Sequence, residues 1–119
     1  MKYLLLIYEN EGSFASLSEA DQGKIFGEYM EYSKRIRKSG HYIAGQALEP
    51  VATATTVRVK AGKTLTTDGP FAETREQLGG FYMVEAKDLD EAIALAAGIP
   101  ASQTGCIEVR PIMPTPPVD

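Results

Sequence analysis

A chain of 119 residues that is 44% hydrophobic and 24% charged has the length and composition of one soluble globular domain. With this composition we expect neither a globally disordered chain nor a membrane protein. The formal net charge of −4 argues against nucleic-acid binding through phosphate contacts.

Two further features of the sequence concern the cellular compartment. The long apolar run from Tyr3 to Tyr8 is too short to span a bilayer, and it lacks the layout of a secretory signal. Cys106 is the single cysteine of the chain, so no intrachain disulfide can form. We therefore expect a cytoplasmic protein.

The first third of the chain predicts a strand followed by a long helix. Residues 1–8 carry apolar side chains on both faces, as a central strand does, and residues 9–14 predict a polar loop. Ser16 and Glu19 have capping-box spacing, which predicts a helix start with Ser16 as the N-cap. The apolar positions of this helix recur along one side, and two more residues widen the stripe: Ile25, Tyr29, Tyr32 and Ile36, with Phe26 and Met30.

The next segment predicts a second strand and a hairpin. Gly40 can end the helix in the left-handed conformation, and residues 41–48 have strand-like composition up to Pro50. Residues 53–60 and 64–67 flank a turn that contains glycine, and their alternation predicts a hairpin with one solvated face.

The segment after the hairpin is rich in turn-forming and charged residues. Residues 68–70 are turn-formers, residues 72–78 predict one short helical turn, and Gly79-Gly80 opens a strand over residues 81–85.

The end of the chain predicts a second helix, a last strand and a tail. Asp88 caps the helix, Gly98 and Pro100 stop it, and residues 106–111 predict the strand. Four residues of this helix are expected to pack inward: Ala92, Ile93, Ala96 and Ala97.

This order of elements predicts an α+β, ferredoxin-like βαββαβ fold with a β-hairpin insert. Such a fold has an antiparallel sheet with two helices on one face. We expect a single domain over residues 1–113 and a proline-rich tail over residues 114–119. Because the apolar bulk of the strands exceeds what one helical layer covers, we also expect two subunits to close face to face into a barrel-like homodimer.

A long motif gives this prediction a family context. The run Asp68 to Tyr82, DGPFAETREQLGGFY, closely resembles the hallmark of the DGPF family of YCII-related proteins, and the segments 56–58 and 108–111 also fit that family. The resemblance implies a dimeric α+β barrel in the bacterial cytoplasm, in a family whose biochemical role is undefined. Members often occur beside, or fused to, extracytoplasmic-function sigma factors, so the resemblance also implies a regulatory context with such a partner.

The chain departs from the wider YCII-related group at two positions. Relatives in that group have a histidine in the first helix and an aspartate just before a proline near the second helix. Here the first helix has no histidine, and Gly98 and Ile99 precede Pro100. If those residues do chemistry in relatives, this chain does something else or uses Asp68 in their place.

Asp68 and His41 are the two candidate catalytic residues. A carboxylate on a tight turn beside Phe71 can be partly desolvated and act as a general base, or it can cap its own turn through hydrogen bonds. His41 is the single histidine of the chain, the residue type best suited to shuttle a proton, or it can cap the end of the preceding helix.

The candidate ligand-binding residues surround Asp68 or lie on strands. Arg75 can clamp a carboxylate or phosphate, or it can pair with Glu73 or Glu76 to hold the loop. Glu73 and Glu76 are ligand-binding candidates as well. Arg58 and Arg110, on strands, can converge with Arg75 on one anion-sized pocket or remain solvated. Phe71 can contact the ligand or serve mainly in packing, and Tyr82 can line a cleft or pack in the core or at a dimer interface.

Two functions from different classes remain open at this stage, with no metal or cofactor expected in either. The first is a dimeric protein that binds a small polar or anionic molecule, or regulates through it, in a cleft lined by residues 68–76. The second is an enzyme that uses Asp68, with or without His41, for acid-base chemistry on such a molecule. A third, purely structural role holds if the charges pair internally.

Cys106 is expected to be a small buried hydrophobic residue.

Overall fold

The centre of the protein is a four-stranded antiparallel sheet, described here in a computed structural model that covers residues 1–118. Its strands lie in the order β2-β5-β1-β6. Of the predicted tail, Asp119 lies outside the described residues. The strands are β1 (Lys2–Glu9), β2 (Tyr42–Ala47), β3 (Thr55–Lys60), β4 (Lys63–Asp68), β5 (Gln77–Glu85) and β6 (Cys106–Pro111), and the helices are α1 (Glu11–Ala15), α2 (Glu19–Lys38) and α3 (Leu89–Ala97).

One face of the sheet forms the core. Tyr3, Leu5 and Ile7 of β1 are buried, and their partners on β5 are Val84, Tyr82 and Gly80. Since paired residues point to the same face of a sheet, these side chains share one layer. The helices cover that layer with Tyr32 and Ile36 of α2 and with Ala92 and Ala96 of α3. The ferredoxin-like α+β fold predicted from the order of the elements is confirmed.

The opposite face of the sheet is apolar and only partly covered. The two central strands contribute apolar, half-buried side chains to it: Leu4, Leu6, Tyr8, Phe81 and Met83. Both long helices lie on the other face. We call this surface the outer sheet face.

The start of the first long helix differs from the prediction. The N-cap of α2 is Ser18, whose hydroxyl accepts a hydrogen bond from the Asp21 backbone N–H at 3.1 Å. Ser16 instead ends α1, a five-residue helix where a polar loop was expected. Asn10 caps α1 by accepting from the Ser13 N–H at 3.1 Å, and this cap makes the short helix possible.

Three other local predictions were wrong. Residues 72–76 form no helical turn, because β5 starts at Gln77, where the chain pairs with Glu9 of β1. Phe26 and Met30 do not widen the core stripe of α2, since both are more than half exposed. Four residues of α3 were expected inside, and only two are buried, because Ile93 and Ala97 face solvent.

The hairpin forms a separate two-stranded sheet of β3 and β4 that projects from the domain. Its turn is Ala61-Gly62, where both residues have positive φ, as a tight hairpin turn requires. The two strands make only sparse contact with any other helix or strand. The radius of gyration is 16.4 Å, whereas a compact chain of this length has about 13.5 Å, so the molecule is extended. We call residues 55–68 the arm.

Within residues 1–118, no helix combines the length and the apolar character needed to cross a membrane.

Candidate functional site

The segment after the arm, residues 68–76, is a fixed loop, which we call the DGPF loop. At its start the Gly69 N–H donates to the Ala54 carbonyl at 2.7 Å, and the Thr56 hydroxyl donates to the Gly69 carbonyl at 2.9 Å. Gly69 has a φ of +100°, a left-handed conformation that favours glycine over other residues. The glycine of the motif therefore sets the direction of the loop.

The far end of the DGPF loop is held by Asn10, the N-cap of α1, and by Gln77, the first residue of β5. The Asn10 side-chain amide donates to the Arg75 carbonyl at 3.2 Å, and the Gln77 amide donates to the Thr74 carbonyl. Gln77 also accepts from the Glu11 N–H at 3.0 Å. Sequence reasoning missed Asn10 and Gln77 as supports of this loop. The signal for Asn10 was its place at the end of a strand, where asparagine often caps.

The charged side chains of the loop point to solvent. Asp68, Glu73 and Arg75 are exposed, and within residues 1–118 their side chains make no hydrogen bond or ion pair. Asp68 therefore does not cap its own turn, and Arg75 does not pair with Glu73 or Glu76. The loop is anchored by its backbone, so these side chains remain available to a ligand.

The DGPF loop also carries an exposed aromatic ring, that of Phe71. Phe71 is 79% exposed, and the Arg58 guanidinium lies 5.4 Å from its ring centre in a cation–π contact. Within residues 1–118, Phe71 therefore does not pack in the core. Arg58 of the arm and Phe71 of the loop form one exposed pair.

Glu76 turns toward the last strand. The Cys106 thiol donates to the Glu76 carboxylate at 3.7 Å, and Cys106 is exposed, contrary to the prediction of a buried residue. Partial desolvation and the Glu76 carboxylate raise the pKa of this thiol. Cys106 is thus a weakly reactive thiol beside the end of the loop.

Tyr82 is a core residue. Its hydroxyl lies 2.7 Å from the Ser33 hydroxyl, and its ring meets the Tyr32 ring edge-on at 5.2 Å. Burial raises the pKa of Tyr82. Of the two roles considered for Tyr82, core packing is the one found.

His41 is remote from the DGPF loop. The loop enters β5 at Gln77, whereas the His41 carbonyl accepts from the Glu85 N–H at the other end of β5, eight residues away or about 26 Å along the strand. The His41 imidazole lies 3.2 Å from the Glu91 carboxylate and 2.7 Å from the Ser39 hydroxyl. One chain therefore does not bring His41 to Asp68.

The three candidate arginines do not converge on one pocket. Arg110 forms an ion pair with Glu108 on β6. It faces Leu4, whereas Cys106, which touches the end of the loop, faces Tyr8, four residues or about 13 Å along the strand. Arg58 and Arg75 belong to the arm and the loop, and Arg110 belongs to the outer sheet face.

Two open grooves lie on α2 instead. One, of about 600 Å³, runs between α2 and the turn after α3, beside Arg35 and Pro100. The other, of about 590 Å³, follows the exposed apolar residues Phe26 and Met30. Neither is lined by residues of the DGPF loop. In the described part of the chain, no three His, Cys, Asp or Glu side chains lie close enough together to hold a metal.

Comparison with known proteins places this geometry in a family. Residues 1–116 match the model of the YCII-related domain. The chain is also 34% identical over 114 residues to an uncharacterized protein of Rhizobium meliloti (strain 1021), a match that covers 94% of this chain and 92% of that protein. The family expected from the motif at residues 68–82 is therefore confirmed over nearly the whole chain.

Proposed function

The chain belongs to the YCII-related domain family, and from that premise we propose that it is a dimeric protein that binds a small polar or anionic molecule with the DGPF loop. The observation that carries the proposal is an anchored loop with unpaired functional groups. Backbone hydrogen bonds fix both ends of the loop, while the side chains of Asp68, Glu73 and Arg75 are exposed and unpaired within residues 1–118. Rigid loops with free polar groups are typical of binding sites.

The groups on the loop suit a ligand that is flat in one part and charged in another. The Arg75 guanidinium can hold a carboxylate or phosphate with two hydrogen bonds. The exposed ring of Phe71 can cover an apolar or planar portion, with Arg58 beside it. Asp68 can accept hydrogen bonds from donor groups of the same molecule.

The dimer is part of the proposal because a single chain leaves the loop open to solvent. The half-buried apolar residues of the outer sheet face support a face-to-face pairing of two subunits, which removes this surface from water. A second subunit gives the loop an opposing wall and turns it into a cleft. We place the protein in the cytoplasm, where the exposed and unpaired Cys106 stays reduced.

Binding without turnover is favoured over catalysis by the position of His41. An enzyme that uses Asp68 as a base with His41 as its proton shuttle needs the two groups within hydrogen-bond reach. In one chain they lie toward opposite ends of β5, and Glu91 and Ser39 occupy the imidazole. A regulatory role, in which the ligand alters the contacts between the two subunits, does not need His41 beside Asp68 and is compatible with this separation.

The proposal is tested by a thermal-shift screen of small carboxylates and phosphates, followed by calorimetry on the best binder. We expect Arg75→Gln and Phe71→Ala each to weaken binding about tenfold or more, since each removes a direct contact. Arg35→Gln is the matched control, because Arg35 is an exposed arginine on α2, away from the loop. Equal affinity of the Arg75 and Phe71 variants and the wild type would overturn the proposal.

A further inference from the structure

The arm has an apolar surface that its own chain does not cover. In the hairpin register, Val57 faces Thr66 and Val59 faces Thr64, so these side chains share one side of the two-stranded sheet. Val57 is 59% exposed and Val59 is 67% exposed. We call this side, residues 55, 57, 59, 64 and 66, the valine face.

A two-stranded sheet with one open apolar side is marginally stable in water. The arm is nevertheless regular over all six residue pairs, and β3 and β4 touch the other elements only sparsely. Valine and threonine on one side of a hairpin are typical of a strand pair that packs against a further layer. The valine face therefore requires cover from outside its own chain.

We propose that a second copy of this chain covers the valine face, so that the arm is an intersubunit arm. This inference rests on the dimer of the proposed function and adds a second contact region to it. Two observations select a second copy as the occupant, namely charge and continuity with the outer sheet face.

The charge of the arm complements the rest of the chain. The arm carries Arg58, Lys60 and Lys63 on the side opposite to the valine face and one acid, Asp68, on the side of the valine face, a net charge of +2. Because the whole chain carries −4, the remainder carries −6. The arm of one copy is therefore attracted to the body of another, which favours association between copies of this same acidic protein.

The arm is also continuous with the surface that is proposed to pair. The chain leaves the main sheet for the arm after β2 and returns to it at the start of β5. There the Leu48 N–H donates to the Gly79 carbonyl at 2.9 Å. β5 carries Phe81 and Met83 of the outer sheet face. A subunit seated on that face is close to the base of the arm.

The arrangement makes the ligand site a shared one. Asp68 faces Thr55 at the base of the arm, so its side chain lies on the same side of the hairpin as Val57 and Val59. The subunit that covers the valine face therefore borders the Asp68 carboxylate. The second copy supplies the opposing wall of the site, and the cleft is incomplete without it.

The test is the dissociation constant of the dimer, measured by light scattering and sedimentation equilibrium. We expect Val57→Asp and Val59→Asp each to raise it about tenfold or more, because each places a charge in an apolar contact. Thr67→Asp is the matched control, since Thr67 is exposed on the opposite side of the same hairpin. We expect it to weaken the dimer clearly less than either valine variant, because it changes the charge of the arm by the same amount without entering the apolar contact. Circular dichroism checks that every variant remains folded.

Hydrogen exchange of the arm provides a second measurement that does not depend on any variant. We expect the amides of residues 55–68 to exchange more slowly at high protein concentration than at low concentration, because the second copy covers them. A dimeric wild type whose valine variants dissociate no more readily overturns the intersubunit arm and leaves the proposed dimer and its loop site standing. A monomeric wild type overturns both the arm and the dimer.

Discussion

Three tyrosines near the interface of α2 with the sheet give the protein a defined response to alkaline pH. The Tyr32 hydroxyl donates to the Leu95 carbonyl at 2.7 Å, and the Tyr82 hydroxyl shares a hydrogen bond with Ser33. Burial raises the pKa of Tyr29, Tyr32 and Tyr82 above the usual value of about 10. Each phenol stays protonated in the folded state at a pH where it ionises in the unfolded chain.

We therefore predict that the free energy of unfolding falls as the pH rises above about 10. In that range the unfolded state binds fewer protons than the folded state, so each such tyrosine lowers the stability by at most about 1.4 kcal/mol per pH unit. Below pH 9 the three residues contribute no slope. Urea unfolding between pH 8 and pH 11 measures the effect, and Tyr82→Phe should make the alkaline slope shallower. A slope that is unchanged in Tyr82→Phe would contradict this account.

Single residues of the candidate site also show what can be predicted from the sequence and what cannot. The motif at residues 68–82 located an exposed, charged loop, because turn-formers and unpaired charges are local properties of a sequence. Whether Tyr82 lines a cleft or packs in the core depends on Ser33 and Tyr32, which lie about fifty residues away in the chain. The position of His41 at the far end of β5 likewise depends on strand pairing. Such long-range contacts leave no mark on the local sequence.

Among the helices and strands, the start of α2 is the clearest test of a boundary predicted from the sequence. Ser16 and Ser18 both precede the helix, and the capping-box spacing selected Ser16. In the structure the Ser18 hydroxyl accepts from the Asp21 N–H, whereas the Ser16 hydroxyl donates to the Ser13 carbonyl in α1. The hydroxyl that satisfies a first-turn amide of α2 is therefore that of Ser18.

We predict that Ser18→Ala lowers the free energy of unfolding by about 1 kcal/mol, the usual cost of losing an N-cap. Ser16→Ala should cost clearly less, because Ser16 makes one exposed hydrogen bond to a five-residue helix. The two serines are both exposed and only two positions apart, so each variant controls for the other. Chemical denaturation measures both, and a larger loss in Ser16→Ala would support the cap predicted from the sequence.

The elements that were predicted well are those with a strong local pattern. β1, α2, α3 and β6 follow from apolar periodicity, capping residues and helix-stopping Gly98 and Pro100. The helix that was missed, α1, and the start of β5, which was placed too late, depend on distant partners. α1 depends on Asn10, which is also tied to Arg75, and β5 begins at Gln77 because Glu9 pairs with it there. Pairing of this kind overrides the local preference of residues 72–78 for a helical turn.

At the scale of the whole molecule, a single chain leaves two apolar surfaces in contact with water. Within residues 1–118 the two long helices lie on the other face of the sheet from the outer sheet face, and the arm has its valine face exposed. Both surfaces border the DGPF loop, since β5 joins the loop to the sheet and Asp68 joins it to the arm. The proposed self-association and the proposed ligand binding therefore involve the same few strands.

Leu6 lies at the centre of the outer sheet face, the surface through which we propose that two subunits pair. We predict that Leu6→Lys turns the proposed homodimer into a folded monomer, because removing the new ammonium group from water in the interface costs about 3 kcal/mol or more. That cost raises the dissociation constant about a hundredfold. Within one chain the new lysine faces Glu108 of β6, so the fold tolerates it. Met30→Lys is the control, since Met30 is an equally apolar, exposed residue on the helical side. Light scattering should give a monomer mass for Leu6→Lys and a dimer mass for Met30→Lys, and the reverse pattern would move the interface to α2.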